Sequence, residues 1–198
     1  MVERQLRRRG IEDERVLSAM EEVPRECFVP EDERRRAYRD GALPIGEGQT
    51  ISQPWIVARM AALLELGGPE RVLEVGTGSG YSAAVLSRCA AHVVTVERHA
   101  ALAEGAVATL ARLGYRNVEV RVGDGSLGQA DRAPFDGIVV AAAADREAPP
   151  ALLAQLAPGA ALVCPIRHPG HGEQLVRMRG GVTETIAPVR FVPLVEEG

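Results

Sequence analysis

The sequence predicts a doubly wound α/β fold: a mostly parallel sheet covered on both faces, with an N-terminal helical cap and antiparallel strands at its C-terminal side. Three observations carry this reading. Between residues 71 and 165, short β-branched runs alternate with helical stretches, and spacers of about 10 to 15 residues are what parallel strands need to be joined by helices. The first run passes straight into Gly76-Thr77-Gly78-Ser79-Gly80 and then into an apolar helix. Near the end, residues 173–179 and 182–194 flank Gly180-Gly181, which reads as an antiparallel pair around a tight turn.

Each element has its own signal. Residues 1–40 are charge-rich, with Val16, Leu17, Met20 and Val23 at helical spacing, so short amphipathic helices over a core are expected. Glu31 with Arg35 and Asp32 with Arg36 stand four apart in the favourable acid-before-base order, and a run of this kind is usually a solvated helix face. Residues 43–54 read as a loop punctuated by glycine and proline. Pro54 then opens a helix with Ile56, Val57, Met60, Leu63 and Leu64 on one face, closed by Gly67-Gly68-Pro69. Strands are expected at 71–75, 92–96, 118–122, 137–141 and 160–165, and helices at 81–89, 100–113 and 151–156.

With 198 residues the chain is long enough for one ordinary domain. It carries 23 basic and 27 acidic residues for a net charge of −4, which argues against nucleic acid held on a basic face. All basic residues are arginine, so Schiff-base chemistry, a Walker lysine and a lysine base are excluded. Three separated cysteines without a CxxC pattern fit a reducing cytoplasm. The start of the chain lacks the apolar core of a signal peptide. The longest uncharged stretch, 148–166, is broken by prolines and Gly159, so no membrane span is expected.

In a doubly wound sheet, ligands bind beyond the carboxyl ends of the strands. Glycines there allow positive φ and close approach of a ligand to the backbone. A glycine-rich turn alone is weak, since nicotinamide and flavin enzymes use a similar device. The dinucleotide pattern, however, needs its third glycine where this chain has Tyr81. The second strand ends at Glu97, 21 residues after Gly76, where an acid can accept both hydroxyls of a ribose. The third ends at Gly123-Asp124-Gly125, a carboxylate suited to an adenine amino group. Either acid alone could equally cap a loop. Together with the turn they outline an adenosine site without a phosphate anchor, which points to S-adenosylmethionine.

Before the helix at Pro54 lies Gly46-Glu47-Gly48-Gln49-Thr50-Ile51-Ser52-Gln53-Pro54. The free N–H groups of a helix start favour an anion, Thr50 and Ser52 add hydroxyl donors, and Trp55 can supply an apolar wall. The plainer reading is that Ser52 or Gln53 caps the helix while Ile51 and Trp55 enter the core.

These segments also resemble a known family. Ala37-Tyr38-Arg39-Asp40, Leu43-Pro44-Ile45-Gly46, Gly48 to Pro54, Val72 to Gly80, Gly123-Asp124-Gly125, Ala133-Pro134-Phe135-Asp136 and Phe191-Val192-Pro193-Leu194 are similar, in order, to signatures of protein-L-isoaspartate O-methyltransferases. The most specific is Gln49-Thr50-Ile51-Ser52-Gln53-Pro54. The resemblance implies a Rossmann-like methyltransferase fold and a cytoplasmic repair enzyme that methylates the free α-carboxyl of isoaspartyl residues in damaged proteins. It implies S-adenosyl-L-methionine as methyl donor, S-adenosyl-L-homocysteine as product, and a monomer that binds neither nucleic acid nor membrane. Ser52 is then the active-site serine. Gln49, Thr50, Ile51, Gly76, Thr77, Gly78, Ser79, Gly80, Glu97, Arg98, Asp124 and Gly125 surround the cofactor, and Thr50, Ser52 and Trp55 face the substrate. Glu47 and the stretch Ser126-Leu127-Gly128-Gln129 depart from the family pattern, and Trp55 stands at a variable position. A related carboxyl methyltransferase acting on aspartate in a maturing peptide is the alternative. The expected organisation is one domain, 1–198, with residues 1–53 as cap and substrate loop and 54–198 as cofactor-binding core. No metal is expected: His168 and His171 flank a Pro-Gly turn without a third ligand. His92 and His99 flank a strand, and Cys164 reads as a small core residue.

Overall fold

The computed structural model describes residues 1–170 and 172–195. The cap begins with the single turns Val2–Leu6 and Arg7–Arg9, followed by helix α1 (Glu14–Glu22) and the tight turns Arg25–Phe28 and Glu31–Arg36. Asp13 starts α1 by accepting the N–H groups of Arg15 and Val16 at 3.0 and 3.1 Å, two donors that the helix itself leaves unpaired. Val16, Leu17, Met20 and Val23 are all buried as expected. The ion pairs of the charged run differ from expectation. Glu31 meets Arg34 at 3.9 Å and Glu33 meets Arg36 at 2.9 Å, both three apart, because this turn is wound at three residues per turn, which stacks i over i+3.

The expected loop after the cap is a small hairpin instead. Strand β1 (Leu43–Gly46) pairs antiparallel with β2 (Gln49–Ile51). Gly46, Glu47 and Gly48 all have positive φ (98°, 49° and 68°), so three successive residues reverse the chain within a span that reads as irregular in sequence. Helix α2 (Pro54–Leu63) follows, with proline in its first turn and no side-chain cap.

The main sheet begins at β3 (Arg71–Val75), and the chain then alternates: α3 (Tyr81–Cys89), β4 (His92–Glu97), α4 (Ala100–Arg112), β5 (Val118–Val122), β6 (Phe135–Val140), the short β7 (Ala144–Asp145), α5 (Pro150–Leu153), β8 (Leu156–His168), β9 (Gly172–Arg179) and β10 (Val182–Val189). The order is β10-β9-β8-β6-β3-β4-β5, with β7 beside β8. β3, β4, β5, β6 and β8 pair in parallel, and β9 and β10 antiparallel. Period-two burial divides the strands cleanly. Val72, Val93, Val139 and Val163 pack into one cluster with α1, α2 and α3, while Leu73, Val94, Ile138 and Leu162 pack into another with Leu152 of α5. Each large aliphatic buried this way contributes about 1.5–3 kcal/mol before chain entropy is counted.

Two boundaries move. The expected helix at 151–156 shrinks to one turn, because Leu156 is drawn into register with Phe135 and the Phe135 N–H donates to the Gln155 carbonyl at 2.9 Å. The last strand stops at Val189 rather than Leu194. Glu173 accepts the Phe191 N–H at 2.6 Å and turns the chain back, so that Pro193 lies alongside Ala143.

Both sheet edges carry charge or irregularity. On β5, Glu119 takes Arg121 at 2.8 Å and Arg132 at 3.1 Å, and Asp131 joins Arg121 at 3.3 Å. These arginines hold the Glu119 carboxyl down at about 2. On β10, the register shifts between Thr185 and Ala187, and Pro188 follows.

Candidate functional site

A cleft opens at the carboxyl ends of β3, β4 and β6. Its floor is the glycine turn. Gly76, Gly78 and Gly80 all have positive φ (95°, 53° and 86°), and the N–H groups of Gly76 and Thr77 anchor to the Val96 carbonyl at 2.8 and 3.3 Å. A Cβ on Gly78 would stand 3.2 Å from Ile45 of the hairpin. Gly76, Thr77, Gly78 and Ser79 line the cleft. Gly80 does not: it starts α3, and a Cβ there would press on Ala106 and Leu110 at 3.3 Å.

Glu97, only 5% exposed, forms the next wall. One carboxylate oxygen accepts the Gly78 N–H at 2.9 Å and the other the His99 N–H at 3.0 Å. It therefore ties the glycine turn to the end of β4 while facing the cleft with Arg98 and His99. Asp124 is placed differently from its neighbour. Gly125 lines the cleft, whereas Asp124 is not among the lining residues; its carboxylate accepts the backbone N–H and the hydroxyl of Ser126 at 2.8 and 2.7 Å. The turn it starts is held from behind by Gln155, which accepts the Gln129 N–H at 2.7 Å and donates to the Leu127 carbonyl at 2.8 Å.

The opposite wall is β2 and the residue after it: Gln49, Thr50, Ile51 and Ser52 all line the cleft. Ser52 is held through its carbonyl, which accepts from Arg25 at 2.8 Å. Gln53 does not cap α2; its amide donates to Asp40 at 2.6 Å. Trp55 does not line the cleft. Its indole N–H donates to the Arg9 carbonyl at 3.3 Å and the Arg9 guanidinium lies 4.7 Å from its ring centre.

Beneath the turn runs a buried polar chain. Thr77 donates to Thr95 at 2.7 Å, and Thr95 to Glu74 at 2.7 Å. Glu74 has no solvent exposure, and its other oxygen has no hydrogen-bond partner. Burial pushes its carboxyl up to about 7, opposed by the nearby hydroxyls of Ser82 and Thr95 and reinforced by the nearby Glu97 charge. The folded protein thus binds a proton here that the unfolded chain releases near its ordinary value of about 4.3. Its stabilising contribution is full at low pH and is lost as pH rises through about 7. Glu74→Gln is expected to remove that loss and stabilise the protein above pH 7 by roughly 2–3 kcal/mol, read as a pH-resolved denaturant midpoint; equal midpoints at pH 5 and pH 8 in both proteins would contradict it.

Several lining residues carried no expectation. Ala141 and Ala142 read only as a strand end, Val57 as core and Tyr81 as a missing glycine; Val192 to Val195 reach the cleft because the chain turns back after β10. The Phe191-Val192-Pro193-Leu194 run was the available signal for the last group. Of His168 and His171, where no metal is expected, His171 lies outside the described residues. Among the described residues, no group of three or more histidine, cysteine or acidic side chains is arranged to hold a metal ion.

The whole chain, residues 1–198, matches the family model described as protein-L-isoaspartate(D-aspartate) O-methyltransferase. Protein-L-isoaspartate O-methyltransferase 1 of Rhodopseudomonas palustris strain HaA2 is 53% identical over 100% of this chain and 83% of its own length. The enzyme of Methanoculleus marisnigri is 53% identical over 98% of this chain and 90% of its own. A solved protein-L-isoaspartate O-methyltransferase superposes with a TM-score of 0.88 at 30% identity, covering 99% of this chain and 66% of that one. A structure from Plasmodium falciparum assigned to the same enzyme, in complex with S-adenosyl-L-homocysteine, has a TM-score of 0.80 at 26% identity over 96% and 95% of the two chains. With the glycine turn, Glu97 and the Gln49 to Ser52 wall facing one cleft, this chain belongs to the protein-L-isoaspartate O-methyltransferase family and is an S-adenosylmethionine-dependent protein carboxyl methyltransferase.

Proposed function

We propose that the cleft holds S-adenosylmethionine over the turn Gly76 to Ser79 and presents the isoaspartyl carboxylate from the Thr50 to Ser52 side. The observation that carries this reading is that Ser52 lines the same cleft as the glycine turn, on a loop whose neighbouring helix start is free of side-chain caps. The turn is packed as well as polar: a Cβ on Gly78 would stand 3.2 Å from Ile45, and one on Gly76 would touch Ala141, which also lines the cleft, at 3.4 Å. The bound cofactor supplies an electrophilic methyl group on a sulfonium.

The protein's own groups then have defined tasks. Glu97 keeps lone pairs beyond its two backbone bonds to accept ribose hydroxyls, with Arg98 beside it. Gly125 and the turn begun by Asp124 bound the adenine end. Gln49 and Ile51 close the opposite wall, and Gly80 acts through packing. The acceptor needs no base, because an α-carboxyl of pKa about 3.5 is ionised at neutral pH. Ser52 is therefore a donor, neither a nucleophile nor part of a triad. Its hydroxyl takes one carboxylate oxygen and leaves the other to attack, and positioning with exclusion of water supplies the rate. Thr50 flanks the acceptor, and Trp55, clamped by Arg9, forms the outer rim met by the peptide.

Ser52→Ala is expected to lower kcat/KM for an isoaspartyl peptide by about 10- to 100-fold, with the calorimetric Kd for S-adenosylhomocysteine unchanged. The same peptide with a normal aspartyl linkage serves as the blank. An unimpaired variant would remove Ser52 from the reaction. The net charge of −4 supports action on proteins rather than on nucleic acid, and three free cysteines support a reducing cytoplasm; we propose a monomer there. Among the described residues, no helix is long and apolar enough to cross a membrane.

A further inference from the structure

Arg25 is the largest side chain in the protein with no exposure to solvent. Its Nε donates to the Ala37 carbonyl at 2.7 Å, and one terminal nitrogen, Nη2, donates to the Ser52 carbonyl at 2.8 Å. Its guanidinium lies 4.7 Å from the ring centre of Tyr81, which lines the cleft. The other terminal nitrogen, Nη1, is buried without a hydrogen-bond partner. No carboxylate among the described residues pairs with it; burial works against its charge, and the side chains that support that charge are the phenols of Tyr81, which also acts as a hydrogen-bond partner, and Tyr38.

A clamp on backbone carbonyls needs no charge. This protein makes such clamps with neutral amides elsewhere: Asn117 donates to the carbonyls of Ser87, Ala90 and Ala91, and Gln155 to that of Leu127. Burying an unpaired guanidinium is far more costly than burying an amide. A cation retained at that cost has its value in its field, which burial leaves unscreened by salt. The field falls on the Ser52 loop, where an anion must arrive for the reaction to occur.

Building on the assignment of that loop as the acceptor site, we propose that Arg25 is a positioning residue whose uncompensated charge is completed by the substrate's carboxylate. It acts from behind Ser52, so it recruits the anion without occupying the lone pairs that attack the methyl group. A guanidinium in direct contact would hold those lone pairs and blunt the nucleophile. Because its attraction weakens as the carboxylate charge is neutralised during transfer, Arg25 governs KM for the acceptor more than kcat.

The test is steady-state kinetics of Arg25→Gln and Arg25→Lys with an isoaspartyl peptide, alongside calorimetry with S-adenosylhomocysteine and the Ser52→Ala variant. Arg25→Gln keeps amide donors without charge and is expected to raise KM about tenfold or more, with kcat and the Kd for S-adenosylhomocysteine within about threefold of wild type. Arg25→Lys is expected to restore most of the KM. An unchanged KM in Arg25→Gln, or equal damage in both variants to KM, kcat and Kd together, overturns the proposal. Arg25→Gln silent while Ser52→Ala is impaired removes Arg25 alone; Ser52→Ala silent removes the acceptor site and this proposal with it. A measurement on the wild-type enzyme needs no variant to fold. An isoaspartyl peptide with its acceptor carboxylate replaced by a carboxamide is expected to bind, as a competitive inhibitor, at least about tenfold more weakly than the carboxylate form, and equal binding overturns the proposal.

Discussion

Replacing Glu97 by alanine is expected to weaken binding of S-adenosylmethionine and S-adenosylhomocysteine by two to three orders of magnitude, about 3–4 kcal/mol. The side chain accepts the N–H of Gly78 at 2.9 Å and of His99 at 3.0 Å from an almost fully buried position. Alanine leaves both donors without a partner, and hydrogen bonds to a charged group are worth about 1.5–3 kcal/mol each. The first donor belongs to the glycine turn itself, so the floor of the cleft loosens at the moment the ribose loses its acceptor. Glu97→Gln separates the two effects. Its amide oxygen can still receive one backbone N–H, so the loss should be smaller, and isothermal calorimetry with either ligand reads it directly. Equal Kd values for wild type and Glu97→Ala would take Glu97 out of the ribose site.

Gly125→Ala should be nearly as damaging, for a purely steric reason. Gly125 does not have the positive φ that makes other glycines here conformationally irreplaceable. A Cβ at this position would instead lie 2.4 Å from Cγ1 of Val75, a buried residue of the central strand β3. The Val75 backbone cannot yield, since it is paired on both sides by β4 and β6. Overpacking of this kind costs about 1–3 kcal/mol or more. Gly125 also lines the cleft, so S-adenosylhomocysteine affinity should fall at least about tenfold with it. The steric account makes a second demand: Val75→Ala, mildly destabilising alone, should recover most of the loss in the double variant. Additive damage in that cycle would show that the two side chains do not compete for space.

Much of the sheet was legible because a strand buried on both faces is mostly apolar, and Val72, Leu73 and Val75 announce that locally on either side of the buried Glu74. The glycine turn and Glu97 were legible for a related reason: strand ends in a parallel sheet are few, and the residues just beyond them are exposed to one cleft. Three things were not. The hairpin of β1 and β2 is too short for alternation to register, and its reversal depends on positive φ at Glu47, a residue that does not advertise it. The return of Phe191 to Leu194 depends on a bond to Glu173, 18 residues away in sequence. Arg25 sits in a charge-rich cap where arginine reads as solvated, and only the packing of Ala37, Ser52 and Tyr81 around it takes it out of water. Asp124 and Trp55 mark the same limit: proximity in sequence to a site residue did not place either in the cleft wall.

The two edges of the sheet matter for the company this enzyme keeps. Its substrates are isoaspartyl-containing proteins, and an open sheet edge is a template on which an exposed strand of any protein can add. At β5, an incoming strand would have to accommodate the arginines locked on Glu119, whose carboxyl stays charged at any physiological pH. At β10, it would meet a shifted register and a proline that cannot donate to a ladder. Both edges of the sheet are thus poor templates for strand addition, while the cleft opens away from them at the strand ends.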